Sequence, residues 1–421
     1  MQAEPPWYQS VWQERRSPVG RGAIMIAIAA FAFGFALNAQ QSIVSNYFEK
    51  VLKLSGPQFG YITAIREIPG FLLIFMAAAL YRVSLPKLSA AALALLAFGY
   101  FGFGFSVNFW TVAPWVVLSS MGYHTYLQTN YALGMSLTTE GRAGSILGRL
   151  TAIGSAGALL AMLLIFAGFQ FAWLDFRPAF MLAGSGALVA AIAIFGFPNL
   201  KDGRLDSAAA LRDPIVLTRD YRYYYLLNLL DGARQQILFS FGLWVLVHHF
   251  GLGVPVISAV LISTTTLSML TGPHIGRLID RHGERPVLAW VNVGYIISLT
   301  GYALVNNVVV ACACYVIYMF IAPLSNIGAA TYLRKIAVPA EIAPSLAMGL
   351  TMQHMAAVVV PLATGYVLNF WGYEIPFLIA AGFASITILI TRRLDPENQK
   401  SPRRLAVEAG LQPAAATTGS C

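Results

Sequence analysis

Long apolar stretches alternate with short polar segments along nearly the whole chain. Each stretch is about 20 residues long, which is the length that an α-helix needs to cross the hydrocarbon core of a bilayer. Each is predicted to be a helix, because an open strand would leave backbone groups unpaired in hydrocarbon. The pattern predicts an all-α integral membrane protein with twelve transmembrane helices, at residues 22–45, 57–80, 86–105, 109–134, 144–168, 178–198, 221–249, 255–279, 286–305, 308–333, 345–370 and 374–394.

The predicted helices form two repeats of six, at residues 22–198 and 221–395. The repeats echo each other at an offset near 200, since residues 143–151 match residues 343–351 at four of nine positions. Two six-helix repeats are the plan of many secondary transporters, whose substrate site lies near the bilayer midplane between the repeats. The sequence therefore predicts two bundles with a site between them.

Three further segments flank or join the two bundles. Residues 199–220 mix acidic and basic side chains and are predicted to form a cytoplasmic linker. Residues 1–21 combine aromatic and basic side chains, which predicts a segment in the cytoplasm or along the membrane interface. Residues 396–421 are rich in Ala, Thr and Pro and are predicted to be a disordered cytoplasmic tail.

Composition excludes a soluble protein. Of 421 residues, 57% are apolar and 11% are charged, with a mean hydropathy of +0.66, whereas soluble domains carry about 25% charged residues. The net charge of +9 does not indicate a nucleic-acid binder, because the charges lie in short loops between apolar stretches. Three cysteines are too few for a disulfide framework.

The basic residues also predict the orientation of the helices. One set of alternate loops, with both termini, holds 22 Lys and Arg residues, and the opposite loops hold three. Because cytoplasmic loops are enriched in positive charge, both termini are predicted to lie in the cytoplasm. The alternative is that the first apolar stretch is a cleavable signal peptide, but its removal would delete half of one repeat.

A motif follows the eighth predicted helix, with the pattern Gly-x-x-x-Asp-Arg-x-Gly-x-Arg. Its members are Gly276, Asp280, Arg281, Gly283 and Arg285. This motif resembles a loop motif of the major facilitator superfamily, and with the twelve spans and two repeats the resemblance covers residues 20–395. The corresponding loop after the second helix departs from the pattern.

The resemblance implies a secondary transporter that works by alternating access. It also implies that Asp280 caps a neighbouring helix, and that Arg281 and Arg285 bind acidic or carbonyl partners and so latch the cytoplasmic side shut. The alternative is that these charges only fix the topology.

Four charged residues fall near the middle of predicted spans: Arg66, Glu67, Asp231 and Arg234. An ionisable group at this depth costs several kcal/mol, so each is predicted to face a cavity and to have a partner. Asp231 and Arg234 are three residues apart and can pair within one helix. Arg66 and Glu67 are adjacent and diverge by about 100°, so at least one is expected to pair across helices.

Polar residues at helical spacing surround these charges. In the superfamily, the first, fourth, seventh and tenth helices line the central cavity, and most of the polar residues lie there. The candidates for substrate binding or coupling, besides the four charges, are Asn38, Gln41, His124, Gln128, Gln235, Asn326 and His354. For any single Ser, Thr or amide the alternative is helix–helix adhesion, and for the two histidines it is a neutral ring with a hydrogen-bonded partner.

The fifth predicted helix carries Gly144, Gly148, Gly154 and Gly157 without a proline among them. Proton-antiport drug exporters of the superfamily often carry a motif rich in both glycine and proline in this helix. The glycines alone favour a close-packing seam, so an efflux pump for drugs or lipophiles remains an alternative function without a motif to support it.

The sequence predicts a transporter of a small organic solute, and organic anions are among the possible substrates. Protons are the predicted coupling ion, with Glu67 and Asp231 as the first candidates to carry them. No cofactor other than H⁺ is expected, and the chain is expected to be a monomer in the cell inner membrane, without nucleic acid as a partner. Motifs of hydrolases, metalloproteases and ATP-driven pumps are absent from the sequence. A sensor or receptor on a transporter fold is a second alternative.

Overall fold

The computed structural model describes residues 17–72, 83–137, 143–198 and 217–409, and every regular element within these ranges is a helix. The N-terminal half contains α1 (Pro18–Asn46, continued by a π-helical turn at Tyr47–Val51), α2 (Gly56–Phe71), α3 (Leu85–Phe103), α4 (Phe109–Met135), α5 (Ala143–Gln170) and α6 (Phe176–Phe195).

The C-terminal half begins with a 3-10 turn at Arg219–Tyr221. It continues with α7 (Arg222–Gln236, a π-helical stretch at Ile237–Gly242, and Leu243–His248), α8 (Val254–His282), α9 (Glu284–Leu304), α10 (Val308–Ile336), α11 (Pro339–Trp371), α12 (Glu374–Arg392) and α13 (Pro402–Glu408).

Local chemistry sets the beginnings of several of these helices. Ser55 and Gln58 form a reciprocal capping box at the start of α2, and Asn108 and Thr111 form another at the start of α4. Each box satisfies backbone N–H groups that have no partner within the helix. The Ser17 hydroxyl accepts from the Gly20 N–H at the start of α1, which begins four residues before the predicted span.

Nine helices of the described residues are long and apolar enough to cross a membrane. The helices α2, α4 and α7 are not among these nine. They are the helices that carry the intramembrane charges and the histidine predicted from the sequence, namely Arg66, Glu67, His124, Asp231 and Arg234. The described part of α2 is only 16 residues long.

The chain divides into two compact units. The first comprises residues 1–212, 243–269 and 361–369, and the second comprises residues 213–242, 270–360 and 370–421. The division departs from the predicted boundary between the halves because short segments of α7, α8 and α11 pack with the N-terminal helices. One such contact joins the Thr265 hydroxyl of α8 to the Met162 sulfur of α5, at 3.9 Å.

Close helix packing in the first unit depends on glycine. A Cβ on Gly34 of α1 would meet the carbonyl oxygen of Gly154 in α5, and a Cβ on Gly157 would meet the carbonyl of Phe31. Gly154 and Gly157 therefore form the close-packing seam that the sequence predicted. A Cβ on Gly148 would meet nothing within 4 Å, so the seam does not extend to this residue.

A second glycine seam in the first unit joins α2 to residues 361–369 of α11. A Cβ on Gly56 would lie 2.7 Å from the carbonyl oxygen of Gly365, and a Cβ on Gly60 would lie 2.5 Å from that of Pro361. Beside this seam the hydroxyls of Tyr61 and Tyr366 hydrogen-bond to each other. The two helix backbones touch here because neither seam glycine has a side chain.

The second unit packs α9 between α10 and α12, and the N-terminal part of α7 against α10 and α12. Its core contains seven tyrosines that are at most 3% exposed: Tyr221, Tyr224, Tyr295, Tyr302, Tyr315, Tyr318 and Tyr332. The Tyr302 hydroxyl donates to the Gly242 carbonyl at 2.6 Å and so holds the π-helical stretch of α7, where the regular backbone ladder is interrupted.

The start of the tail is folded, in contrast to the disorder predicted for residues 396–421. The Ser401 N–H donates to the carbonyl of Ile336 at 2.9 Å, and the Tyr332 hydroxyl donates to Gln399 at 2.7 Å. Arg403 pairs with Glu341, which also accepts from the Tyr221 hydroxyl at 2.5 Å. Composition missed these contacts because they join segments that are far apart in sequence. Residues 410–421 lie outside the described ranges.

The tail helix α13 is further stabilised by charge. Lys400 and Arg404 donate to Glu408 at 3.0 and 2.9 Å. Lys400 and then Arg404 hold the pKa of the Glu408 carboxyl below its usual range, because both donate hydrogen bonds to its ionised form. The predicted linker 199–220 and the predicted head 1–21 are described only from residue 217 and from residue 17.

Candidate functional site

The first charged cluster lies in the first unit, where α2 packs against α4. Arg66 donates from Nε and Nη2 to Oε1 of Glu67, at 3.2 and 3.0 Å. His124 of α4 lies with Nε2 4.0 Å from the other oxygen of Glu67, Oε2. The carboxylate therefore has a guanidinium on one oxygen and an imidazole near the other.

Arg66 pairs with the adjacent Glu67, a contact that the sequence did not predict. Adjacent residues on a helix point about 100° apart, but the arginine side chain is long enough to bend back to Glu67. Glu67 also faces His124 on another helix, as expected for at least one of the two charges. The Ser120 hydroxyl donates to the backbone carbonyl of Arg66, which ties α4 to α2 beside the cluster.

The three ionisable side chains of this cluster differ in burial. The Arg66 side chain is 36% exposed, against 9% for Glu67 and 7% for His124. An arginine that faces hydrocarbon near mid-membrane costs at least about 2.5 kcal/mol. The water-filled cavity that the sequence predicts beside Arg66 stays a prediction.

The other predicted binding residues of the first unit make fewer contacts. Asn38 donates to the Gly34 carbonyl of its own helix at 2.9 Å and is half-buried. Gln41, one turn further along α1, is also half-buried, and Gln128 on α4 is exposed. The residues that the structure brings together are Arg66, Glu67, His124 and Ser120.

The second charged cluster lies inside the second unit, around Arg234. Asp231 and Arg234 pair within α7, as their spacing predicted. Arg234 also donates from Nη1 to Asn292 at 2.9 Å and from Nε to the Tyr318 hydroxyl at 3.1 Å. Each guanidinium nitrogen thus has a protein partner.

The surroundings of Arg234 close this cluster. The guanidinium carbon lies 3.7 Å from the ring centroid of Tyr295, which places the cation over an aromatic face. The Tyr295 hydroxyl hydrogen-bonds to Ser325 at 3.0 Å. Arg234 is 1% exposed, and Asp231 is 8% exposed. This arginine is fully engaged by the protein.

A small polar pocket of the second unit opens beside Asp231. Its polar lining includes Asn228, Asn292, Ser325 and Asn326. Gln353 of α11 bridges two of these amides, because its Nε2 donates to Oδ1 of Asn228 at 3.0 Å and to Oδ1 of Asn326 at 2.9 Å. The Nδ2 groups of Asn228 and Asn292 donate to carbonyls of their own helices, of Tyr224 at 2.9 Å and of Leu288 at 2.8 Å.

Sequence reasoning missed Gln353, Asn292 and Tyr295. Gln353 adjoins the predicted His354, but Gln353 carries the amide contacts, and His354 is half-buried. Gly232 permits the close approach, since a Cβ there would lie 2.7 Å from the Cα of Gln353. Asn292 is a lone amide in an apolar helix and could have been identified by that isolation.

Gln235 is half-buried and lies next to Arg234 on α7. Its neighbour Gln236 accepts from the Ser240 hydroxyl at 3.2 Å. Gln235 therefore remains a candidate on the basis of its position alone.

The motif residues lie where α8 meets α9. Gly276, Asp280 and Arg281 belong to the last turns of α8, and Asp280, Arg281 and Arg285 are exposed. Gly283 forms the link between the helices with a φ of 80°, a conformation that favours glycine. The roles expected of Asp280, Arg281 and Arg285 in a latch stay predictions.

The acidic residue that is held next to this loop is Glu284. It is 2% exposed and pairs with Lys335 of α10 at 2.7 Å. The motif includes Asp280 but not the neighbouring Glu284. Its pair with Lys335 ties the start of α9 to the end of α10.

Comparison with known proteins gives four results. Residues 224–417 match the family model described as the Major Facilitator Superfamily. The fold is similar to that of a mutant form of the nucleoside transporter NupG, with 15% identity, a TM-score of 0.73, and coverage of 89% of this chain and 99% of that one. No curated protein matches the sequence.

A second similar structure is a bacterial homolog of the human lysosomal transporter Spinster in an inward-facing and occupied conformation. It shares 12% identity with a TM-score of 0.67, and the match covers 90% of this chain and 98% of that chain. Identities this low establish the fold and leave the substrate open.

Proposed function

We propose that the chain is a member of the Major Facilitator Superfamily, whose family model matches residues 224–417, and that it is a secondary active transporter. In this proposal it moves a small organic solute by alternating access and couples this movement to protons. The observation that carries the proposal is the Glu67 carboxylate, which is held between Arg66 and His124 inside a membrane-protein fold. Charged groups at such a depth are costly and are typical of substrate and proton pathways.

The proposed arrangement is twelve spans in two six-helix repeats, with both termini in the cytoplasm of the cell that carries the protein in its inner membrane. The described helices overlap all twelve predicted apolar stretches, and the unequal distribution of Lys and Arg supports the orientation.

Alternating access requires a contact that closes one end of the pathway and can open. The seam of Gly56 and Gly60 with residues 361–369 is suited to this role, because it joins a helix of the first repeat to a helix of the second. By the predicted orientation it lies near the outer end. The Tyr61–Tyr366 hydrogen bond closes the same place without a charge that would have to be desolvated.

Proton coupling is assigned to Glu67. A carboxylate that pairs with Arg66 when ionised loses this pairing when it takes up a proton, so protonation changes the contacts of α2. His124 is the neighbouring group that can exchange a proton with it, since an imidazole titrates near neutral pH when unperturbed.

The test is solute-induced proton flux in proteoliposomes that contain the full chain and a pH-sensitive dye inside. A panel of small organic solutes is added outside. We expect at least one solute to move protons with it, and the Glu67→Gln variant to exchange this solute without proton movement. Solutes that bind the purified protein and cross no membrane would instead favour the receptor alternative.

A further inference from the structure

The two partners of the Arg66–Glu67 pair are unequally accessible. Glu67 and its neighbour His124 are nearly buried, whereas a third of the Arg66 side chain is exposed. Glu67 accepts both hydrogen bonds on one oxygen, from the Nε and Nη2 edge of the guanidinium. This edge is the one that binds a carboxylate with two parallel hydrogen bonds.

A second anion at this position would compete with Glu67. The pair is neutral as it stands, and an added anion would give the low-dielectric site a net negative charge. If Glu67 takes up a proton as the anion arrives, the site stays neutral and the guanidinium edge becomes available. His124 lies on the side of Oε2, so a proton on that oxygen has a neighbouring acceptor.

We propose that the transported solute carries a carboxylate or a similar anionic group, that this group binds Arg66 in place of Glu67, and that a proton on Glu67 accompanies it. The proposal rests on the transport function proposed above and names the chemical class of its solute. A monoanion and one proton then cross together with no net charge. The anion forms the hydrogen bonds that Glu67 gives up, and no covalent bond changes except the new O–H bond on Glu67.

The second arginine of the membrane region is not suited to this role. Arg234 is 1% exposed, and Asp231, Asn292 and Tyr318 occupy its three nitrogens. The Tyr295 ring covers its face. The Asp231–Arg234 pair therefore provides a matched control within the same chain, with the same two chemical groups and a guanidinium that is buried and fully engaged.

The titratable groups described around Arg66 and Glu67, besides His124, include several tyrosines. Tyr123 of α4 interacts electrostatically with both Glu67 and Arg66, and Tyr100 of α3 with Arg66. Tyr366, in the α11 segment of the first unit, hydrogen-bonds to Tyr61 towards the start of α2. Tyrosines are neutral in the neutral pH range. Among these groups, Glu67 and His124 are those that can change charge.

The experiment measures thermal unfolding of the full chain, purified in detergent, with matched acids and amides. The probes are benzoate with benzamide, nicotinate with nicotinamide, lactate with lactamide, and succinate with succinamide, at about pH 5.5 and about pH 7.5. A ligand that binds the folded form raises its unfolding midpoint. The variants are Glu67→Gln, Arg66→Gln and, as the control, Asp231→Asn.

We expect at least one acid to stabilise the wild type while its amide does not, with an affinity that falls about tenfold per pH unit once Glu67 is ionised. Glu67→Gln should bind this acid equally well at both pH values, Arg66→Gln should lose binding, and Asp231→Asn should keep the wild-type pH dependence.

Three results would overturn the proposal: amides that bind as well as acids, an unchanged pH dependence in Glu67→Gln, or no acid that stabilises either wild type or Glu67→Gln. Proton-driven flux of a neutral solute without acid binding would leave the transport function standing and overturn only the anion site. Acid binding with the expected pH dependence but no flux in proteoliposomes would contradict the transport function and retain the site.

Discussion

Two acid–arginine pairs lie in α2 and α7 of this protein, and they differ in what surrounds them. Arg66 and Glu67 form a partly open pair, with a third of the arginine side chain exposed. Asp231 and Arg234 form a closed pair, in which Asn292, Tyr318 and Tyr295 complete the surroundings of the guanidinium. Sequence position gives the two pairs equal standing, but only the open pair can exchange partners.

The difference separates a charged residue that can take part in transport from one that only stabilises the fold. A buried arginine whose donors are all satisfied is costly to disturb and serves the fold. An arginine that keeps one face towards water can release its partner, because solvent or a solute replaces the lost hydrogen bonds. The following predictions test this distinction, beginning with the largest expected effect.

The largest effect is expected for Arg234→Gln. This change leaves Asp231 buried without its cation, so the protein should lose about 3–5 kcal/mol of unfolding free energy. Thermal or chemical unfolding in detergent measures the loss. The double variant Asp231→Asn, Arg234→Gln should recover part of it, and a single variant as stable as wild type would show that the pair is not closed.

A smaller effect is expected from adding a side chain at the seam between α2 and residues 361–369. A side chain in Gly60→Val would meet the Pro361 carbonyl, and overpacking of this kind costs about 1–3 kcal/mol. If the seam is an outer gate, the variant should also expose Gln41 or Asn38, replaced by cysteine, to an impermeant thiol reagent from outside. Gly148→Val, which has no neighbour within 4 Å, is the matched control.

A modest effect is expected at the open pair. Glu67→Gln should change the unfolding free energy by about 1 kcal/mol or less, because the pair is partly solvated, yet it should abolish proton-coupled movement of solute. Unfolding and dye-monitored proton flux, measured on the same preparation, separate the two results. A stability loss as large as that of Arg234→Gln would remove the contrast between the pairs.

The smallest effect is expected at the tail. Arg403→Gln removes one partly exposed ion pair with Glu341 and should lower the unfolding free energy by about 0.5 kcal/mol.

The ion pairs of Glu408 with Lys400 and Arg404 should make the stability of α13 depend on pH. Since the pKa of Glu408 is lowered on folding, its contribution is present above the unfolded pKa of about 4.3 and is lost as the pH falls through the folded pKa. Limited proteolysis of α13 against pH measures this release.

The sequence predicted the helices well because lipid permits few alternatives: apolar length alone implies a helix. It also predicted the pairing of Asp231 with Arg234, because residues three apart share a helix face. The Gly154 and Gly157 seam followed from the same kind of local spacing.

Contacts between distant segments were beyond local patterns. Gln353 reaches Asn228 across 125 residues, and Ser401 reaches Ile336 from a tail whose composition indicates disorder. The sequence likewise did not predict the unequal exposure of Arg66 and Arg234, because burial depends on which neighbouring helices surround each side chain. Periodicity identifies a polar face but does not give the partners of that face.

The most direct test of the central claim is the number of protons taken up per anion bound, measured by titration calorimetry of the purified protein in two buffers of different ionisation enthalpy. With the acid that binds most tightly, the account predicts about one proton in wild type and in Asp231→Asn, and about zero in Glu67→Gln. Equal proton uptake in wild type and Glu67→Gln would contradict it, because the proton would then reside on a group other than the open pair.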